Sequence, residues 1–129
     1  GIVVGFEIGR QLNKETIFAE RVDGLLHLRR GFTIPENSNV LIVEDVITTG
    51  KSALECSEIV KKCKSKLVGY ACIIDRSNNE VLIKDEIISQ IKFEIPTFKE
   101  NELPNELKSI RPLKPGSRNL TKWKKKDSV

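Results

Sequence analysis

Val40-Leu41-Ile42-Val43-Glu44-Asp45-Val46-Ile47-Thr48-Thr49-Gly50-Lys51-Ser52 is the stretch on which the fold turns. Its first four residues are a continuous apolar run, the mark of a strand buried on both faces. Two acidic residues follow, at the carboxyl end of that strand, where ligands bind in open α/β sheets. A buried acidic pair costs stability unless something offsets it, so the pair asks for a function. The vicinal hydroxyls of a ribose are natural hydrogen-bond partners for such carboxylates. Thr48-Thr49-Gly50-Lys51-Ser52 then offers hydroxyls and a run of backbone N–H groups where a helix begins, an anion site suited to one phosphate. One stretch can therefore grip a sugar diol and its 5-phosphate together.

Two other readings apply to the same residues. In the plainer one, Glu44 and Asp45 cap the next helix and Thr48-Thr49-Gly50 is an ordinary turn. The other is the nucleotide-binding P-loop, which shares Gly-Lys-Ser. It fails on spacing, because its first glycine would fall at position 45, which is Asp45.

Outward from the loop, Ser52 with Glu55 three residues on has the pattern of a capping box. The helix that follows, to about Lys64, shows Ala53, Cys56, Val60 and Cys63 on one stripe. Leu67 to Ile74 is a second buried strand, ending in Asp75-Arg76, and Ile91 to Ile95 a third, closed by Pro96. Strand, helix, strand in this order predicts a parallel sheet with helices on its faces. Upstream, Val4, Ile8 and Leu12 give Ile2 to Leu12 a helical rhythm. Thr16 to Ala19 is β-branched and aromatic and reads as a strand. Asp23-Gly24 is a two-residue turn signal across which Glu20-Val22 and Leu25-Leu28 pair as a hairpin. That hairpin gathers Arg21, His27, Arg29 and Arg30.

The chain of 129 residues has room for one core, here assigned to residues 1–98, with a polar, basic tail over 99–129. Hydrophobic residues are 39% and charged residues 31%, ordinary for a globular protein, and no run approaches the roughly 18 apolar residues of a membrane span. The net charge of +4 owes much to Lys122, Lys124, Lys125 and Lys126 around Trp123. Such a run is more often a solvated end than a nucleic-acid contact. Three cysteines without metal-ligand spacing read as small core residues, and the default compartment is a reducing, cytoplasmic one. With His27 the only histidine, zinc sites needing several His ligands are disfavoured, and no protein metal ligands are assigned.

The thirteen-residue stretch resembles the phosphoribosyl pyrophosphate (PRPP) motif of type I phosphoribosyltransferases. Its neighbours narrow the resemblance to the orotate phosphoribosyltransferases: Phe18-Ala19-Glu20-Arg21, Leu28-Arg29-Arg30-Gly31-Phe32, Asp75-Arg76 after the next strand, and Lys114-Pro115-Gly116-Ser117-Arg118 in the tail. The resemblance implies an α/β fold with a mostly parallel sheet flanked by helices. It implies transfer of phosphoribosyl from PRPP to orotate, giving orotidine 5′-monophosphate and pyrophosphate in pyrimidine nucleotide synthesis. Mg²⁺ would be carried mainly on PRPP, and the enzyme would work as a homodimer. Glu44 and Asp45 would contact the ribose hydroxyls, directly or through water and metal, and Val46, Ile47, Thr48, Thr49, Gly50, Lys51 and Ser52 would hold the 5-phosphate. Thr48 would approach orotate, and Arg76 would pair with its carboxylate, a task that suits a planar guanidinium. Arg76 pairing with Asp75 or a surface acid is the plainer alternative. The basic hairpin would match a loop closing over pyrophosphate, with Arg21 as its catalytic cation ahead of His27, Arg29 and Arg30.

The chain also departs from the family. The resemblance implies a segment ahead of Ile2 that carries the first central strand of the sheet and a pyrophosphate-binding loop. That strand would lie between the one matching Thr16-Ala19 and the one matching Val40-Val43, so strand edges and apolar surface would be left open without it. Lys51 stands where the family commonly has a small residue, and either crowds the phosphate loop or adds a favourable charge. The alternative to an active transferase is a truncated, non-catalytic remnant that binds PRPP or a nucleotide. A transferase for a purine base fits Arg76 less well than one for a carboxylated base.

Overall fold

The computed structural model describes residues 1–77, 81–96 and 98–111, so the lysine run and the Lys114–Arg118 motif lie outside the described residues. The chain divides into two compact units, residues 1–95 and 96–129. In the second, a 3-10 turn (Glu100–Glu102) is followed by the four-residue helix Asn105–Lys108.

The first unit opens with α1 (Ile2–Leu12), as its apolar rhythm predicts. Asn13 ends it in a left-handed conformation, its N–H bonded back to the Arg10 carbonyl, a common way of closing a helix. The chain then runs without regular structure through Thr16, Ile17 and Phe18, and the first strand, β1, covers only Ala19–Val22. This corrects the strand expected over Thr16–Ala19. A strand needs a neighbour to take its backbone groups, and among the described residues none lies beside that segment. The Asp23-Gly24 turn does form, with both residues at positive φ, and β2 (Leu25–Leu28) pairs antiparallel with β1 in the register Glu20↔His27 and Val22↔Leu25.

β3 (Asn39–Ile47), β4 (Lys66–Asp75) and β5 (Ile87–Lys92) form a three-stranded parallel sheet in that order. α2 (Lys51–Lys62) connects the first two, completing the strand–helix–strand unit expected from sequence. β5 begins four residues before the strand expected at Ile91–Ile95 and ends at Lys92. Its place is set by pairing with β4, Tyr70↔Ile87 through Asp75↔Lys92, which local composition does not carry.

Residues matched across parallel strands share a face, and alternate residues of a strand do too. Ile42, Tyr70 and Cys72 thus point the same way and pack with Ala53 and Val60 of α2, forming the core together with Ile47 and Ile83. Leu41, Ile73 and Ile88 point the other way. They are 37%, 41% and 63% exposed, although parallel sheets are normally covered on both faces. The edge of β3 away from β4 also has no strand partner among the described residues.

Candidate functional site

The acidic pair lies inside β3 rather than beyond it. The strand continues past Val43 because its ladder with β4 continues, with Glu44↔Cys72, Val46↔Ile74 and Ile47↔Asp75 in register. Successive strand residues face opposite sides, so Glu44 and Asp45 start out in different surroundings. Glu44 is half-buried, near enough to the Cys56 thiol of α2 for its charge to be felt there. Burial raises the Glu44 pKa above the ordinary value; the charged Gly1 nitrogen opposes this and the neighbouring Asp45 reinforces it. Asp45 is exposed. Burial pushes its carboxyl upward too, but the Val46 N–H, 3.0 Å from Oδ1, and the Gly1 nitrogen, 3.5 Å away, leave it below the usual range. The start of α1 therefore sits beside the acidic pair.

The turn into α2 is built differently from the expected capping box. Gly50, not Ser52, is the N-cap, at φ 78°, and no side chain caps the helix. Glu44 and Asp45 do not cap it either. Glu55, the presumed box partner of Ser52, instead binds Arg21 of the hairpin at 2.6 Å. The left-handed conformation favours glycine, and space excludes anything larger: a Cβ at Gly50 would lie 2.7 Å from Ile83 Cγ1. The first turn of α2 leaves the N–H groups of Lys51, Ser52 and Ala53 without intrahelical acceptors, and the helix dipole adds partial positive charge. Lys51 N–H has only a long contact, 3.4 Å, to Thr49 Oγ1. Lys51 is exposed and is one of the residues that line the cleft described next.

Glu44, Val46, Ile47, Thr48, Thr49, Gly50, Lys51, Ser52 and Ala53 line one open cleft of about 80 Å³. That exceeds the roughly 10–15 Å³ one water needs in this measure and suits a group the size of a phosphate. Eight of the nine residues assigned to PRPP from sequence border this cleft; Asp45, the ninth, lies in the strand between Glu44 and Val46 but outside the lining.

Arg76 follows directly on β4, its N–H donating to the Ile47 carbonyl at 2.8 Å, so it stands beside the strand end that leads into Thr48. Its half-buried side chain has Nε shielded and without a hydrogen-bond partner. The plainer alternative, pairing with Asp75, is not what forms. Asp75 is buried, accepts from Ser77 N–H at 2.7 Å and faces Lys92 Nζ at 3.7 Å. Among the described residues no carboxylate lies within ion-pair distance of Arg76.

The hairpin cations are engaged elsewhere. Arg21 holds Glu55 and the Gly24 carbonyl, while Arg29 and Arg30 lie 3.6 and 2.7 Å from Glu20. His27 is exposed. Arg21 is thus anchored about one helical turn from the cleft, outside its lining. The three cysteines are free, and Cys56, pushed up to about 11 by burial and then by Glu44 and Glu55, stays a protonated thiol at neutral pH.

Sequence reasoning did not find the support behind the loop. Leu82 N–H donates to the Thr49 carbonyl at 2.9 Å, and Ile83 is buried against Gly50. The apolar run Val81-Leu82-Ile83, isolated between polar stretches, was the available signal.

Comparison with known proteins places these features in context. A family model described as phosphoribosyl transferase domain matches residues 8–108. The orotate phosphoribosyltransferase of Methylorubrum extorquens (strain PA1) is 46% identical over 123 residues, 95% of this chain and 63% of that protein. That of Maricaulis maris (strain MCS10) is 38% identical over 93% of this chain and 62% of its own length. The chain thus spans somewhat under two thirds of the curated relatives it matches. Among solved structures, an adenine phosphoribosyltransferase superposes with a TM-score of 0.58 at 20% identity, covering 69% of this chain and 61% of that one. Another, from Thermoanaerobacter pseudethanolicus, gives 0.56 at 18% identity, covering 72% and 64%. At such identities the likeness speaks to fold alone.

Proposed function

We propose that this chain, which belongs to the phosphoribosyl transferase domain family, carries the ribose-phosphate half of an orotate phosphoribosyltransferase site. The observation that carries the reading is the cleft in which Glu44 and the Thr48–Ser52 loop meet, with Asp45 next to Glu44 in β3. The carboxylates accept from the ribose hydroxyls, and the α2 N-terminus receives the 5-phosphate. Arg76, beside Thr48 and without a carboxylate partner among the described residues, supplies a bidentate site for the carboxylate of orotate. The relatives named for orotate support that base over a purine.

Glu44 and Asp45 offer hard oxygen ligands of the kind Mg²⁺ takes, which fits an ion arriving on PRPP and touching the protein at one or two carboxylates. Among the described residues no cluster of three or more His, Cys, Asp or Glu side chains is placed to hold a metal. When bound, the ion neutralises charge on the pyrophosphate leaving group. Arg21 serves as the closing cation once the hairpin leaves Glu55, and excluding water at that point favours transfer to orotate over hydrolysis. The chain is proposed to act as a homodimer in the cytoplasm, in pyrimidine nucleotide synthesis. Among the described residues no helix is long and apolar enough to cross a membrane.

The test is pyrophosphate release from PRPP and Mg²⁺, with and without orotate. Orotate-dependent release should be abolished in Glu44→Ala/Asp45→Ala, and in Arg76→Ala it should be lost while PRPP binding is kept. Release indifferent to orotate, or unchanged in Arg76→Ala, would remove orotate from the reading.

A further inference from the structure

The loop from Thr48 to Gly50 has only three residues to turn the chain from β3 into α2. A phosphate is bound there only if successive N–H groups converge, and that depends on Gly50 holding φ near 78°. Glycine has no intrinsic preference for this conformation, so something outside the loop must select it. The structure shows two contacts that do so, both from one segment. Leu82 N–H clamps the Thr49 carbonyl at 2.9 Å, and the Ile83 side chain lies so close to Gly50 that a Cβ there would sit 2.7 Å from Cγ1 and 2.8 Å from Cδ1. Ile83 is 5% exposed and belongs to the core that includes Ile47 and Ala53, the residues on either side of the loop.

We infer that Ile83 is a positioning residue for the phosphate loop: buried against Gly50, with Leu82 pinning Thr49, it holds the loop amides in their phosphate-binding geometry. This deepens the reading of the cleft as a ribose-phosphate site and rests on it. Ile83 touches no substrate; it acts through Gly50. A side chain that reaches beyond Cβ is needed because Cγ1 and Cδ1, successive atoms of one arm of Ile83, both lie against the glycine, and alanine would leave a void into which Gly50 can relax. A loosened loop that gives up about one of its hydrogen bonds to phosphate should lose affinity by about tenfold.

The experiment compares wild type with Ile83→Ala, Ile83→Val and Val60→Ala in two readouts, ribose 5-phosphate affinity and amide hydrogen exchange over Thr48–Ala53. Val60 is buried in the same core but does not appear among the cleft-lining residues, so its variant reports general core damage. The inference predicts about tenfold weaker binding and faster loop exchange in Ile83→Ala, partial rescue in Ile83→Val, which keeps a Cγ but lacks Cδ1, and neither change in folded Val60→Ala. Equal affinity and exchange in Ile83→Ala and wild type would overturn it, as would equal losses in Val60→Ala. If wild type itself binds no ribose 5-phosphate, the ribose-phosphate reading fails, and loop exchange alone then decides whether Ile83 is a brace.

Discussion

The two faces of the parallel sheet differ sharply. On the α2 face, Ile42, Tyr70 and Cys72 are sealed under Ala53 and Val60. On the opposite face, Leu41, Ile73 and Ile88 remain in large part open, and α1 exposes Ile2, Val3 and Phe6. The sealed face carries the β3–α2 loop, and the Leu82 and Ile83 contacts that brace that loop come from within residues 40–83. The open face and the free edge of β3 are where a parallel sheet of this family would be expected to continue. The well-packed half of the architecture is the one that holds the cleft proposed for ribose phosphate. A local binding site needs only its own strand, turn and helix to be well packed, whereas a sheet needs partners brought from elsewhere in sequence.

The largest expected effect sets the two faces against each other directly. Ile42→Ala, at 7% exposure, should cost about 2–5 kcal/mol of stability, whereas Ile73→Ala, at 41%, should cost about 0.5 kcal/mol or less, as read by denaturant unfolding. Similar losses would mean that the open face is buried in solution. Next comes Gly50→Ala. The left-handed φ and the approach of Ile83 should together cost about 1–3 kcal/mol and weaken phosphate binding more than Ile42→Ala does.

The smallest effect is one of pH. Glu44 has a folded pKa raised above its ordinary value, so the folded state binds its proton more tightly than the unfolded chain. Its contribution is therefore destabilising, absent below the ordinary glutamate range and developing as pH rises through that range to the raised folded value. Glu44→Gln should melt at a higher temperature than wild type at neutral pH, with the gap closing under acid, while losing affinity for the ribose. A gap that widened in acid would reverse the assignment. Asp45, held low, has the opposite sign and should favour folding above the ordinary aspartate range, losing that contribution as pH falls through its lowered folded value.

What could be read from sequence follows the same division. The Val40–Val43 run, the stripe of α2 and the Asp23-Gly24 hairpin were legible because each is fixed within a few residues. The extension of β3 through Glu44–Ile47 was not, because it rests on pairing with β4, nearly thirty residues downstream. Ser52 looked like a cap on local pattern, but Ile83 selects Gly50 from thirty-three positions away. Thr16–Phe18 has strand composition without a strand neighbour, and β5 takes its register from Tyr70 and Asp75 rather than from its own residues. The cleft residues Glu44 and Val46–Ser52 were legible because they are contiguous in sequence; their support from Leu82 and Ile83 was not.

Calorimetric titration of PRPP with Mg²⁺ into wild type and into Glu44→Ala/Asp45→Ala is the most direct test of the ribose-phosphate cleft. Saturable binding by wild type, lost in the double variant while its unfolding curve stays cooperative, is the result predicted. Equal binding by both proteins, or none by a folded wild type, would contradict the assignment of the β3–α2 corner as the site.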